Sequence, residues 1–80
     1  PELDVRGMLG EDACYTVDKY IDEAIVAHVY SVTVIHGKGT GALRNAIWAF
    51  LKGDKRIESF RAGQYGEGDY GVTVIDIKHK

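Results

Sequence analysis

A histidine, a lysine and an arginine crowd one glycine-rich stretch, Ile-His-Gly-Lys-Gly-Thr-Gly-Ala-Leu-Arg, at residues 35–44. The chemistry open to such a set is the handling of an oxyanion. Gly37, Gly39 and Gly41 carry no side chains, so backbone N–H groups can approach a phosphate oxygen closely. Lys38 adds a flexible point charge, and Arg44 adds a planar fork within the helix that follows. Thr40 reads as the N-cap of that helix, and a helix start favours anions. His36, at the end of a strand, brings an imidazole that can take up and return protons near neutral pH. Asp4 and Arg6 stand two apart in Leu-Asp-Val-Arg, residues 3–6. Asp4 could orient His36 or bind a cation, while Arg6 and Lys38 could neutralise charge developing on a phosphoryl oxygen. Strand–helix–strand crossovers bring parallel strand ends together, so His36, Asp4, Arg6 and Lys38 are expected to form one catalytic cluster. Plainer roles stand beside these: Asp4–Arg6 as a structural ion pair, and His36 as a hydrogen-bonded turn residue.

The identity of the anion is narrowed by spacing. A Walker loop needs four residues between its first glycine and Gly-Lys-Ser/Thr, and Gly37-Lys38-Gly39-Thr40 has the residue types without the spacing. Gly37, Gly39 and Ala42 match the dinucleotide fingerprint, with Glu58 near the place of its ribose carboxylate, but that fold needs more parallel strands than 80 residues supply. An extended phosphate backbone remains. Six bases (Lys38, Arg44, Lys52, Lys55, Arg56 and Arg61) stand against two acids (Asp54 and Glu58) over residues 31–61, which suits a phosphate track. Tyr65 and Tyr70, in a glycine-rich loop, could stack on bases or remain ordinary loop aromatics. Metal chemistry has less to rest on. Asp4 is one carboxylate, while Glu67, Asp69 and Asp76 are scattered, so the metal role left is a Mg²⁺ or Mn²⁺ held partly by substrate phosphate.

The elements that must position these residues follow from periodicity. Residues 3–6 alternate as a strand ended by Gly7. Residues 11–28 have the helical period, with Ala13, Val17, Tyr20, Ile21, Ala24, Ile25 and His28 on one face. Asp18, Asp22 and Glu23 fall on the other face, expected to be solvated. Residues 31–37 are β-branched and read as a strand; residues 41–52 form a second helix stopped by Gly53. Strands at 56–60 and 72–78 flank a long loop, 61–71. The predicted order β-α-β-α-β-β makes an α/β two-layer sandwich, with both helices on one face of a four-stranded mixed sheet. The last two strands should pair antiparallel.

Eighty residues, 45% of them hydrophobic, make one small domain with one modest core. No apolar run approaches the ~20 residues of a membrane span, and no signal peptide opens the chain, so no membrane partner is expected and Pro1 reads as the start of a fragment. Cys14 excludes an internal disulfide framework and reads as a buried residue of a reducing cytoplasm. The net charge of −2 is unevenly spread. Residues 1–30 hold seven acids against two bases, and residues 31–80 eight bases against five acids. One side can therefore be basic although the whole is not.

Three stretches, Leu-Asp-Val-Arg-Gly (3–7), His-Gly-Lys-Gly-Thr-Gly-Ala-Leu-Arg (36–44) and Gly-Glu-Gly-Asp-Tyr-Gly-Val-Thr-Val-Ile-Asp-Ile (66–77), occur in the order of the motifs of the Smr (small MutS-related) domain. The resemblance covers essentially the whole chain, and is greatest to the members that close a MutS-like ATPase linked to recombination suppression and ribosome rescue. It implies a fold like the C-terminal domain of a bacterial translation initiation factor. It also implies binding to DNA (duplex or branched) or ribosomal RNA, and nicking endonuclease activity. The alternative is a non-catalytic DNA- or rRNA-binding module that anchors the ATPase core. ATP and homodimerisation would belong to the rest of the parent protein, the isolated domain being monomeric. Val5 replaces the family's usual leucine, Ala27-His28-Val29-Tyr30 replaces a helix end where glycine is common, and Gly68-Asp69-Tyr70-Gly71 lacks the usual paired glycines.

Overall fold

The computed structural model describes residues 1–64, 66 and 69–79. Tyr65 and Glu67, named above, lie outside the described residues. The chain forms β1 (Glu2–Asp4), α1 (Gly10–Val26), β2 (Ser31–Ile35), α2 (Ala42–Lys52), β3 (Ile57–Ala62), a 3-10 turn (Asp69–Gly71) and β4 (Val72–Ile77). The strands make one sheet in the order β1-β2-β4-β3. β1 runs parallel to β2, while β4 is antiparallel to both of its neighbours. Both helical connections step the same way across the sheet, so right-handed crossovers lay α1 and α2 on one face, where they pack together. This is the expected two-layer α+β architecture.

The helical period does the packing. Ala13, Val17, Ile21 and Ala24 are the buried stripe of α1, and Ile47 and Leu51 are that of α2. They close over Val32 and Val34 of β2 and Ile75 and Ile77 of β4, with Val5 fully buried just beyond β1. The central strand β4 has Asp76 as its only residue that is not buried. Cys14 is half-buried, with its Sγ 3.4 Å from the Ala46 carbonyl, and burial raises its thiol pKa.

The structure changes three expectations, two of them at element ends. α1 stops at Val26, so His28 leaves the apolar face: it is exposed, with φ of 59°. It occupies the left-handed position that closes a helix, where the Val29 N–H donates to the Ala24 carbonyl at 2.8 Å. A Cβ is strained there, which is why glycine is common at such ends. His28→Gly is expected to stabilise the domain by roughly 1 kcal/mol in urea unfolding. The second change is at α2, where Gly41 rather than Thr40 is the N-cap. Gly41 has φ of 88°, and Thr40 Oγ1 only accepts a long 3.3 Å bond from the Ala42 N–H.

The third concerns the acidic face of α1. Asp18 and Asp22 do not simply face water: both receive the Arg56 guanidinium at 2.7 Å, and Asp54 completes its shell. Hydrogen bonds from Arg56 hold the Asp54 carboxyl below the usual carboxylate range. Arg56 therefore clasps α1 to the α2–β3 turn, and its charge is neutralised where a phosphate track was expected. Among the described residues, no helix is long and apolar enough to cross a membrane.

Candidate functional site

The parallel pairing of β1 and β2 sets Asp4 opposite Ile35. Val5 and Arg6 therefore leave the sheet beside His36 and Gly37. The Arg6 stem lies over Gly37, where an added Cβ would stand 3.5 Å from Cγ and 3.6 Å from Cδ. On the other side, the Gly71 carbonyl accepts the N–H groups of His36 at 3.1 Å and Gly37 at 2.9 Å. The Lys38 stem crosses Gly71, with Cγ 3.6 Å from where a Cβ would be. The glycine loop is thus wedged between the exit of β1 and the turn that opens β4. Asp4, Arg6, His36 and Lys38 are brought to one end of the sheet.

Asp4 and Arg6 form an exposed, bidentate pair. Arg6 donates from Nε to both carboxylate oxygens at 3.0 and 3.1 Å, from Nη2 at 2.6 Å and from its backbone N–H at 3.0 Å. These bonds lower the Asp4 pKa to about 2 and raise that of Arg6. Asp4 is consequently ionised at neutral pH and fixes the arginine fork in place. Its free lone pairs are few. Among the described residues, no three His, Cys, Asp or Glu side chains converge as a metal site.

His36 is only 5% exposed. Its Nδ1 is 2.8 Å from the Gly37 carbonyl, which can only accept, so Nδ1 carries a proton. Its Nε2 is 2.8 Å from Thr73 Oγ1. The Trp48 indole N–H donates to that same oxygen at 2.8 Å. With a neutral ring, the Thr73 hydroxyl donates to Nε2, and Trp48, Thr73 and His36 each donate to an acceptor. The ring expected to exchange protons with a substrate therefore has both nitrogens bonded inside the fold. Thr73, fully buried, and Gly71 are the residues that sequence reading missed. A threonine among valines in a buried strand is the available signal for the first.

The loop itself is rich in unbonded donors. Gly37, Gly39 and Gly41 all have positive φ. The Gly41 N–H closes a turn onto the Lys38 carbonyl at 3.1 Å, and the first helical bond runs from Asn45 to Gly41 at 2.9 Å. The N–H groups of Lys38, Gly39, Thr40, Leu43 and Arg44 find no acceptor among the described residues. Arg44 is half-buried, and its guanidinium carbon sits 5.4 Å from the Trp48 ring centroid. Its Nη2 lies 3.7 Å from the space a Gly41 Cβ would fill. Unlike Arg6 and Arg56, it has no carboxylate partner among the described residues, and its buried Nε is unbonded.

The remaining candidates are more distant in the topology. Arg61 lies on the far edge strand β3, with Nη1 3.2 Å from the Ala62 carbonyl. Lys52 and Lys55 are exposed, and Tyr70, 66% exposed, precedes Gly71 in the 3-10 turn. Asp76 accepts from Ser59 at 3.3 Å.

A two-layer α+β domain with one donor-rich glycine loop at a strand-to-helix junction is the class that this fold and site define. The chain belongs to the Smr domain family, whose model matches residues 3–78. Among curated relatives, the Endonuclease MutS2 of Clostridium perfringens (strain 13 / Type A) is 55% identical over 78 residues, covering 98% of this chain and 10% of the relative. The Endonuclease MutS2 of Acetivibrio thermocellus is 52% identical over 77 residues, covering 96% of this chain and 10% of the relative. The chain thus spans about a tenth of the length of these curated relatives. The crystal structure of the Smr domain of Thermus thermophilus MutS2 superposes with a TM-score of 0.93 at 44% identity, covering 96% of both chains. YdaL, a stand-alone small MutS-related protein from Escherichia coli, shares the fold with a TM-score of 0.81 at 18% identity, over 96% of this chain and 63% of that one.

Proposed function

We propose that this domain grips the phosphodiester backbone of nucleic acid at residues 36–44 and nicks it, as the endonuclease part of a longer MutS-like protein. The observation that carries the reading is that, among the described residues, five backbone N–H groups of the loop are unbonded beside Lys38 and Arg44 meets no carboxylate. Phosphate oxygens would receive the loop N–H groups, the Lys38 ammonium and the Arg44 fork. Arg6, held by Asp4, presents its remaining donors next to Gly37. Hydrolysis also needs an activated water and a proton for the leaving oxygen. His36 can serve there only when its bond to Gly37 or to Thr73 opens, so in the structure as it stands its part is to hold the loop. The donors gathered here suit phosphate oxygens, so recognition would rest on backbone and shape.

The enclosure of His36 favours a second reading, a DNA- or rRNA-binding module that anchors the parent ATPase core without cutting. One cleavage panel separates the two: supercoiled plasmid, branched DNA and structured RNA, each in Mg²⁺, in Mn²⁺ and with chelator. Nicked product that disappears in Arg6→Ala supports the endonuclease. Intact substrates with retained binding support the module, and no binding at low salt removes both. Lys38→Ala is expected to weaken binding and to reduce the slope of log K against log salt by about one unit. An unchanged slope would take Lys38 out of the grip.

A further inference from the structure

The chain has one tryptophan, Trp48, and the phosphate grip does not call on it directly. It stands in α2, one turn after Arg44, and three of its surfaces are engaged. The indole N–H donates to Thr73 Oγ1, which in turn meets His36 Nε2, each at 2.8 Å. One ring face carries the Arg44 guanidinium at 5.4 Å. Phe60 packs edge-on with centroids 5.2 Å apart at 70°, which fixes the ring plane.

We propose that Trp48 is a positioning residue that ties the two halves of the grip together. Its N–H holds the Thr73–His36–Gly37 chain at the start of the loop, and its face aims Arg44 at the loop's end. The proposal rests on the phosphate reading above and adds what sets the geometry of that site. Two further observations support it. The Arg44 Nε is buried and unbonded, and among the described residues the guanidinium meets the ring and no carboxylate. The Thr73 hydroxyl is fully buried, and it stands between the indole N–H, which donates to it, and His36 Nε2.

The test is a double-mutant cycle read by binding of a short labelled DNA duplex at low salt. In the wild type, Arg44→Ala is expected to lower affinity about tenfold, the loss of one charge-assisted contact. In Trp48→Leu the fork is already misplaced, and the same change should cost less than about twofold. In Trp48→Phe the ring face remains, so Arg44→Ala keeps its full cost. An equal cost in the wild type and in Trp48→Leu overturns the proposal.

Should Trp48→Leu fail to fold, the second arm uses Trp48→Phe and Thr73→Val, with amide exchange at Gly37 as the readout. Both should speed exchange, and the double variant should be no faster than Thr73→Val alone. Additive effects overturn the proposal. Absence of duplex binding by the wild type is a different failure: it removes the phosphate reading, and the role of Trp48 with it.

Discussion

His36→Ala is expected to lower the stability of the domain by about 2–4 kcal/mol and to abolish nicking, and added imidazole is expected not to restore it. The ring is buried, so its removal leaves a cavity above Thr73 and Trp48. The Thr73 hydroxyl, itself fully buried, then loses its imidazole partner, a cost of roughly 1–3 kcal/mol by itself. The Gly37 carbonyl loses its imidazole donor, and the loop loses the bond that closes it onto the strand end. In so small a domain, each kcal/mol lowers Tm by about 4–8 °C, so the effect is large in a thermal melt as well as in urea. A purely catalytic histidine behaves differently. Its alanine variant stays near wild-type stability, binds with modest loss, and is open to chemical rescue by a free imidazole. An His36→Ala variant within about 0.5 kcal/mol of the wild type would remove the holding role, since surface substitutions away from buried features sit in that range.

What could be read from the sequence divides along a physical line. Patterns that repeat locally were legible: the 3.6-residue spacing of Ala13, Val17, Ile21 and Ala24, the β-branched run of β2, and the glycine loop between β2 and α2. Those patterns, with right-handed crossovers, lead to the sheet and to the side its helices cover. They also bring Asp4, Arg6, His36 and Lys38 to one end, because that juxtaposition is a property of parallel strands. Contacts that depend on tertiary register were not legible. Thr73 faces His36 because β2 and β4 pair Val34 with Thr73, and His36, two residues on from Val34, projects to the same side. Arg56 looked like one more base in a track, yet its partners Asp18 and Asp22 lie 38 and 34 residues away. The N-cap of α2 was misplaced by one because the choice turned on the sign of φ at Gly41, which no side chain announces.

Gly63→Ala is expected to weaken phosphate binding on the order of tenfold from a position that touches no ligand. A Cβ on Gly63 would fall 2.4 Å from Val72 Cγ2, 2.8 Å from the Asp69 carbonyl oxygen and 3.2 Å from the Asp69 nitrogen. Two of these atoms are backbone, so the clash cannot be relieved by a side-chain rotation alone. Either β3 separates from β4, where the Gly63 N–H donates to the Val72 carbonyl at 3.1 Å, or the Asp69–Gly71 turn is displaced. Overpacking of this kind costs about 1–3 kcal/mol. The turn ends in Gly71, whose carbonyl receives both the His36 and the Gly37 N–H groups. Displacing it releases the loop from the side opposite Arg6. Amide exchange should therefore quicken at His36 and Gly37 together with the loss of affinity. Gly53→Ala is the control: its added Cβ meets nothing within 4 Å, its φ is −93°, and it should leave both readouts unchanged. A Gly63→Ala domain with wild-type exchange at His36 and Gly37 would show that the loop is held from the β1 side alone.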